Sequence, residues 1–170
     1  VYTRHLGGSD YDIYGQRLNA SGGTIGAEFA IRDEPGDVVQ WAPQVVYSPV
    51  SSLYFALWVE NQGGDTGVDL YGRWLDPMGS PVGDLLPFVH YPGPADAPRL
   101  AYDPIDDQAL AVWMDGRRGG WGDIYARLGG LDTTPPLALF TRDPTAGQAG
   151  DTFVLNAWPS RDNMTPPAAL

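Results

Sequence analysis

Apolar residues are distributed along this chain in two ways. Leu53–Val59 and Ala109–Met114 are almost continuously apolar, the pattern of a strand covered on both faces. Asp12–Leu18 and Asp69–Leu75 alternate instead, with Ile13, Gly15 and Arg17 on one side and Tyr14, Gln16 and Leu18 on the other. Gln44–Tyr47 and Arg99–Tyr102 are short runs that start just after a proline, which has no N–H to give to a ladder. Further strands are expected near Glu28–Ile31 and Leu85–Val89. Turn chemistry separates the runs at Ser21-Gly22-Gly23, Asp76-Pro77-Met78-Gly79 and Asp115-Gly116. No stretch carries a 3.6-residue period, so the pattern predicts an all-β chain.

The runs recur in the same order. Val1-Tyr2-Thr3-Arg4 followed by Asp12–Leu18 matches Phe55–Glu60 followed by Asp69–Leu75, and again Ala109–Asp115 followed by Asp123–Leu128. Ala42-Pro43 lies 55 positions before Ala97-Pro98, and Trp58 lies 55 before Trp113. Tyr14, Tyr71 and Tyr125 are spaced by 57 and 54. A repeat of this length with about four strands cannot bury its own two faces, and stacking on its neighbours solves that problem. The expected architecture is therefore tandem four-stranded, propeller-like blades forming an incomplete ring.

Composition narrows the chemistry. The 170 residues are 43% apolar and include six Trp, nine Tyr and five Phe, enough for a packed core. Asp and Glu number 21 against 10 basic residues, a net charge of −11 that repels phosphate backbones and anionic lipid, so neither nucleic acid nor membrane insertion is expected. Cysteine is absent, which excludes disulfides, thiol nucleophiles and thiolate metal sites. Lysine is absent too, which excludes Schiff bases and lysine isopeptide cross-links. No apolar run approaches the ~18 residues that a spanning helix requires.

Asp12–Leu18 and Asp69–Leu75, each preceded by an aromatic and acidic strand end and a Gly-rich turn, resemble the "DIYGQR" repeats of bacterial secreted and surface-anchored β-propellers. The resemblance covers roughly residues 1–128, and the third copy departs from it at Ala126-Arg127-Leu128. It implies a region of propeller-like repeats over residues 1–130 and an extracellular or cell-surface location. Thr133-Thr134-Pro135-Pro136 makes 131–136 a stiff linker by composition. Ala138–Thr141 and Asp143–Ala157, with Ser160-Arg161-Asp162 beyond, resemble the opening strands of PKD-type immunoglobulin-like domains, so 137–170 is expected to begin a partial Ig-like β-sandwich. The first repeat and the Ig-like segment are both expected to be cut within a motif. Their remaining strands are expected from other parts of a longer polypeptide or from self-association.

Several residues invite a chemical reading. Glu60 and Asp115 each follow an inner-strand Trp by two positions, a spacing that suits repeat structure better than a glycosidase pair. Asp12, Asp69 and Asp123 recur at strand entries, where a carboxylate is expected to accept turn amides. Asp103, Asp106 and Asp107 are hard oxygen donors that could hold calcium, although they lack the calcium-loop spacing. His5 and His90 fall in different repeats and do not form a zinc set, and no G-x-S-x-G elbow supports a serine triad. Trp58 and Trp113 read as core. Trp74, Trp121, Arg117 and Arg118 read as exposed residues for ligand, glycan or partner contact. Asn19 and Asn163 sit in N-glycosylation patterns.

The expected function is a non-catalytic extracellular structural or adhesive repeat protein, such as a subunit of a filament or surface layer, with no cofactor beyond calcium. The alternatives are an accessory region of a secreted hydrolase and a carbohydrate- or protein-binding module.

Overall fold

A computed structural model describes residues 1–36, 38–63, 67–91, 93–105, 108–117, 122–130, 141–143 and 154–156. The chain is all-β. The described residues include no helix, and so none long and apolar enough to cross a membrane.

The described residues form twelve strands: β1 (Tyr2–Gly7), β2 (Asp10–Leu18), β3 (Thr24–Arg32), β4 (Val39–Ser48), β5 (Leu53–Gly63), β6 (Gly67–Leu75), β7 (Pro81–Val89), β8 (Ala95–Asp103), β9 (Gln108–Asp115), β10 (Asp123–Gly130), β11 (Thr141–Asp143) and β12 (Val154–Asn156). Antiparallel pairing sorts the first ten into three meanders: β1-β2-β3, β4-β5-β6-β7 and β8-β9-β10. One parallel bridge, Tyr11 to Val39, links the first meander to the second. β11 and β12 form a separate short ladder, Thr141 opposite Asn156. The rest of the expected Ig-like segment, like the 131–136 linker, lies outside the described residues.

The repeat seen in sequence is a repeat of register. Tyr2 faces Tyr14, Trp58 faces Tyr71 and Trp113 faces Tyr125. Two residues further on, Arg4 faces Asp12, Glu60 faces Asp69 and Asp115 faces Asp123. The turns repeat as well. Asn19 Oδ1 accepts the Ser21 and Gly23 N–H groups at 2.9 and 2.8 Å, and Asp76 Oδ1 accepts those of Met78 and Ser80 at 2.8 Å each. A short polar side chain that mimics a backbone turn fixes the β2–β3 and β6–β7 hairpins alike.

The prolines do not start strands, as the sequence suggests, but lie inside them. Ala42-Pro43 occupies the space opposite Trp58 alone, and Ala97-Pro98 the space opposite Trp113 alone. Each is a bulge, which needs one residue off the ladder and therefore accommodates a proline without a lost hydrogen bond. Ala42 and Ala97 take left-handed φ values of 52° and 53° to make it.

Two cores hold the meanders face to face. Ile13 and Ile31 of the first pack with Ala56, Trp58, Tyr71 and Leu75 of the second. Phe55, Leu57, Val59, Leu70 and Val89 on the opposite face of the second pack with Ala95, Ala109, Ala111 and Trp113 of the third. β5 is thus buried on both sides, as its unbroken apolar run requires. β9 departs from that expectation. It alternates, with Ala109, Ala111 and Trp113 buried while Leu110 is 40% exposed, because the described residues cover only one of its faces.

Gly72 shows why the repeat keeps a glycine after its tyrosine. The Phe55 ring lies across it, and a Cβ would come within 2.5 Å of the ring, as a Cβ at Gly15 would with Phe29. The third copy carries Ala126 there, on an exposed surface. Gly72→Ala is therefore expected to destabilise by about 1–3 kcal/mol through overpacking, whereas Ala126→Gly costs less than about 1 kcal/mol. Urea denaturation of both variants checks the contrast, which equal effects would overturn.

Candidate functional site

The repeated register places a carboxylate beside the indole N–H of each buried tryptophan. Trp58 Nε1 donates to Glu60 Oε2 at 3.2 Å, and Trp113 Nε1 to Asp115 Oδ2 at 2.9 Å. Both acids are almost fully buried, Glu60 at 0% and Asp115 at 3% exposure, so each needs a cation as well. The two meanders supply it differently. Arg32, at the end of β3, reaches across from the first meander and donates Nε and Nη2 to Glu60 at 2.9 and 2.8 Å, while its Nη1 also pairs with Glu34. Arg117, two residues past Asp115, folds back and donates Nε at 2.7 Å, Nη2 at 2.5 Å and its own backbone N–H at 2.9 Å. The longer Glu meets a guanidinium from the neighbouring sheet, and the shorter Asp takes one from its own turn. Arg117 also lies 4.4 Å from the Tyr91 ring centroid and 4.2 Å from that of Tyr125, which joins the end of the second meander to the third.

These contacts set the protonation states. The Arg117 side chain, aided by the Arg117 and Trp113 N–H groups, holds the Asp115 carboxyl down at about 2 against the desolvation of its site. Asp115 in turn raises the Arg117 guanidinium. Burial lowers Arg32, but Glu60 outweighs it, and the guanidinium ends above its ordinary value. Asp12 goes the other way. Burial pushes its carboxyl up, a single long bond from the Glu34 N–H (3.4 Å) opposes this, and the charges of Asp10, Asp33 and Glu34 push it further.

Asp69 is not the turn acceptor that its position suggests, whereas Asp12 does accept a backbone amide, that of Glu34 just past β3. They sit within the ladder, fully buried, opposite Arg4 and Glu60. Glu60 and Asp69 form a like-charged cross-strand pair, which is unfavourable unless each has its own partner. Arg32 serves Glu60, and His90 Nδ1 lies 2.9 Å from Asp69 Oδ2. Among the described residues, Gln40, buried opposite Glu60, has no partner for either amide atom. Sequence reasoning found the Trp-x-acid spacing but not Arg32, which lies 28 residues from Glu60 with no local pattern linking them, and it took Arg117, two residues from Asp115, for an exposed contact residue.

Of the residues expected to contact ligands, two are half-buried and two lie outside the described residues. Trp74 is half-buried rather than open, its ring 4.8 Å from that of Phe55, since its β6 position puts it on the face that the third meander covers. Arg117 is engaged as described above. Trp121 and Arg118 lie outside the described residues. Asp103 is exposed and accepts the Ile105 N–H at 2.8 Å, which makes it a turn former, while Asp106 and Asp107 also lie outside the described residues. No group of three or more metal-ligating side chains occurs among the described residues. His5 stacks on Tyr11 at 4.5 Å in the first meander, whereas His90 lies against Asp69 in the second. Asn19 spends its amide oxygen on its turn, and Asn163 is outside the described residues.

The sequence did not anticipate a cleft of about 400 Å³ between the first two meanders, lined by Leu18, Ile25, Phe29, Tyr54, Leu75 and Pro77 among others. Its walls are mainly apolar, and its aromatic rings come from both meanders.

The chain matches no protein-family model, no curated protein and no solved structure.

The two acids are expected to respond oppositely to pH. A lowered carboxyl such as Asp115 stabilises the fold above the unfolded value of 3.8 and loses that contribution as pH falls towards 2. Asp115→Asn should therefore cost about 2 kcal/mol at neutral pH, at about 1.4 kcal/mol per pH unit. The gap to the parent protein should close between pH 4 and 2. Asp12, with a raised carboxyl, burdens the fold when ionised, so Asp12→Asn should raise Tm at pH 7 and lose the gain in acid. Thermal melts across pH 2–7 check both signs.

Proposed function

We propose that the chain is a non-catalytic structural or adhesive repeat scaffold of an extracellular or cell-surface protein, its meanders stacked as blades in the manner of a β-propeller. The observation that carries this reading is the threefold repetition of one hairpin register, with Glu60 and Asp115 each consumed by a tryptophan and an arginine. A general acid or nucleophile has to reach substrate and change its proton occupancy. A carboxylate held at about 2 by a bidentate guanidinium from its own turn, as Asp115 is, does neither, and Glu60, whose guanidinium comes from the first meander, ties that meander to the second. The extracellular setting rests on the likeness of Asp12–Leu18 and Asp69–Leu75 to secreted repeats.

A second reading, a glycan- or protein-binding module, is favoured by one feature, the aromatic-lined cleft between the first two meanders. Phe29 and Tyr54 there offer flat apolar faces of the kind that sugar rings stack on.

Assays on glycan, peptide and ester panels test the scaffold reading. The expected result is no turnover. Reproducible activity abolished by Glu60→Gln or Asp115→Asn would sink it. Glycan-array binding lost in Tyr54→Ala, with Tm unchanged, would move the conclusion to the binding module.

A further inference from the structure

We infer that the junction of the first and second meanders binds a calcium ion, or a divalent cation of that class, through Asp10 and Asp12 of β2 and Gln40 of β4. Asp12 and Gln40 are both fully buried, and among the described residues Asp12 Oδ2 and both amide atoms of Gln40 have no hydrogen-bond partner. Asp10 Oδ1 is buried and unpartnered as well. These residues meet where the two meanders join. The single parallel bridge there pairs Tyr11 with Val39, and Asp12 and Gln40 are the next residue on either side of it, so they are neighbours on adjoining strands. Asp10, two residues before Asp12, shares its face of β2. A buried carboxylate needs a counter-charge. Here two carboxylates and an amide carbonyl form an oxygen set with no cation of its own among the described residues.

The second meander shows how the same position is satisfied when a cationic partner is supplied. Asp69, 57 residues after Asp12, lies 2.9 Å from Nδ1 of His90, a residue of its own hairpin. The residue 57 before His90 is Asp33. Register confirms the equivalence, since Arg32 pairs with Ile13 as Val89 pairs with Leu70. The first meander thus places a second acid where the second meander has a group able to carry positive charge. Its guanidiniums are engaged elsewhere. Arg4, opposite Asp12 in the ladder, pairs with Glu28 and lies over the Tyr14 ring, and Arg32 pairs with Glu60 and Glu34. Asp33 accepts from Tyr14 Oη at 3.2 Å, and the Glu34 N–H reaches Asp12 Oδ1 at 3.4 Å, so this acidic corner lies against the site and adds to its field. Because Asp69 takes its partner from its own meander, the deficit at Asp12 arises within the first meander and does not depend on what covers its outer face.

The oxygen set selects the ion. Calcium accepts about six to eight oxygens in irregular geometry, amide carbonyls and water among them, whereas magnesium demands a near-ideal octahedron and keeps its own water. With two carboxylates and one amide, rather than a cluster of three acids or imidazoles, water completes the shell, and the affinity belongs in the weak range of roughly 10⁻⁴–10⁻³ M. Once bound, the ion joins β2 to β4, and so ties the first meander to the second.

Thermal melts of the 170-residue chain at neutral pH and constant ionic strength, first in chelator and then in about 5 mM calcium, test this. Calcium should raise Tm by about 3–6 °C, and equimolar magnesium by much less. Asp12→Asn and Gln40→Leu should abolish the response, while Asp103→Asn, at an exposed turn acid, should keep it in full. In chelator Asp12→Asn should melt above the parent, and calcium should close that gap by raising the parent alone. Calorimetric titration of calcium into the chelated chain reads binding apart from stability and should show a site that Asp12→Asn removes. A Tm that calcium does not move, a shift that persists in Asp12→Asn and Gln40→Leu, an equal shift with magnesium, or titrations identical in parent and Asp12→Asn overturns the proposal.

Discussion

A β-sheet has two faces, and in a stack of short meanders each face has to meet a neighbour or water. That constraint governs this molecule. The second meander is covered on both sides and carries the fully buried Leu57, Trp58, Val59 and Leu70; among the described residues the first and third are each covered on one. Alternation along a strand then sets the composition of every position. Ala56 and Trp58 belong to one interface and Phe55, Leu57 and Val59 to the other, so a single residue's slip in register would exchange the two sets. The Ala-Pro bulges opposite Trp58 and Trp113 relieve this crowding, placing the extra residue where the largest side chain stands.

Polar chemistry in this fold follows from the same stacking. A tryptophan inside a sheet interface must find an acceptor for its N–H, and the carboxylate two positions along the same face is within reach. Burying that carboxylate then demands a guanidinium, which comes from the neighbouring sheet at Arg32 and from the adjoining turn at Arg117. The first meander reverses the sign of the position, with Arg4 where the others carry an acid and Glu28 as its partner. Trp41 adds a further tie, donating to Asp96 at 3.0 Å across the second interface, between residues that occupy equivalent places in their repeats. Of these contacts, Arg32–Glu60 and Trp41–Asp96 run from one sheet to the next, while Arg117–Asp115 closes within its own turn.

Much of this was legible in the sequence, and for a local reason. Alternation and turn chemistry are short-range properties, so the all-β class, the repeat of about 55 residues, the hairpin turns at Ser21-Gly22-Gly23 and Asp76-Pro77-Met78-Gly79 and the core roles of Trp58 and Trp113 could all be read from neighbouring residues. The spacing of Trp58 to Glu60 and Trp113 to Asp115 was visible too, because residues two apart on a strand share a face. Only the tertiary structure decided what those residues meet. Arg32 finds Glu60 across 28 positions, Asp69 finds His90 rather than a turn amide, and Trp74 is half-covered where its polar neighbours suggested exposure. The similar apolar runs of β5 and β9 make the distinction sharpest. Hydrophobicity reports that a strand can be buried on both faces; whether it is depends on a neighbouring sheet that the strand's own sequence does not encode.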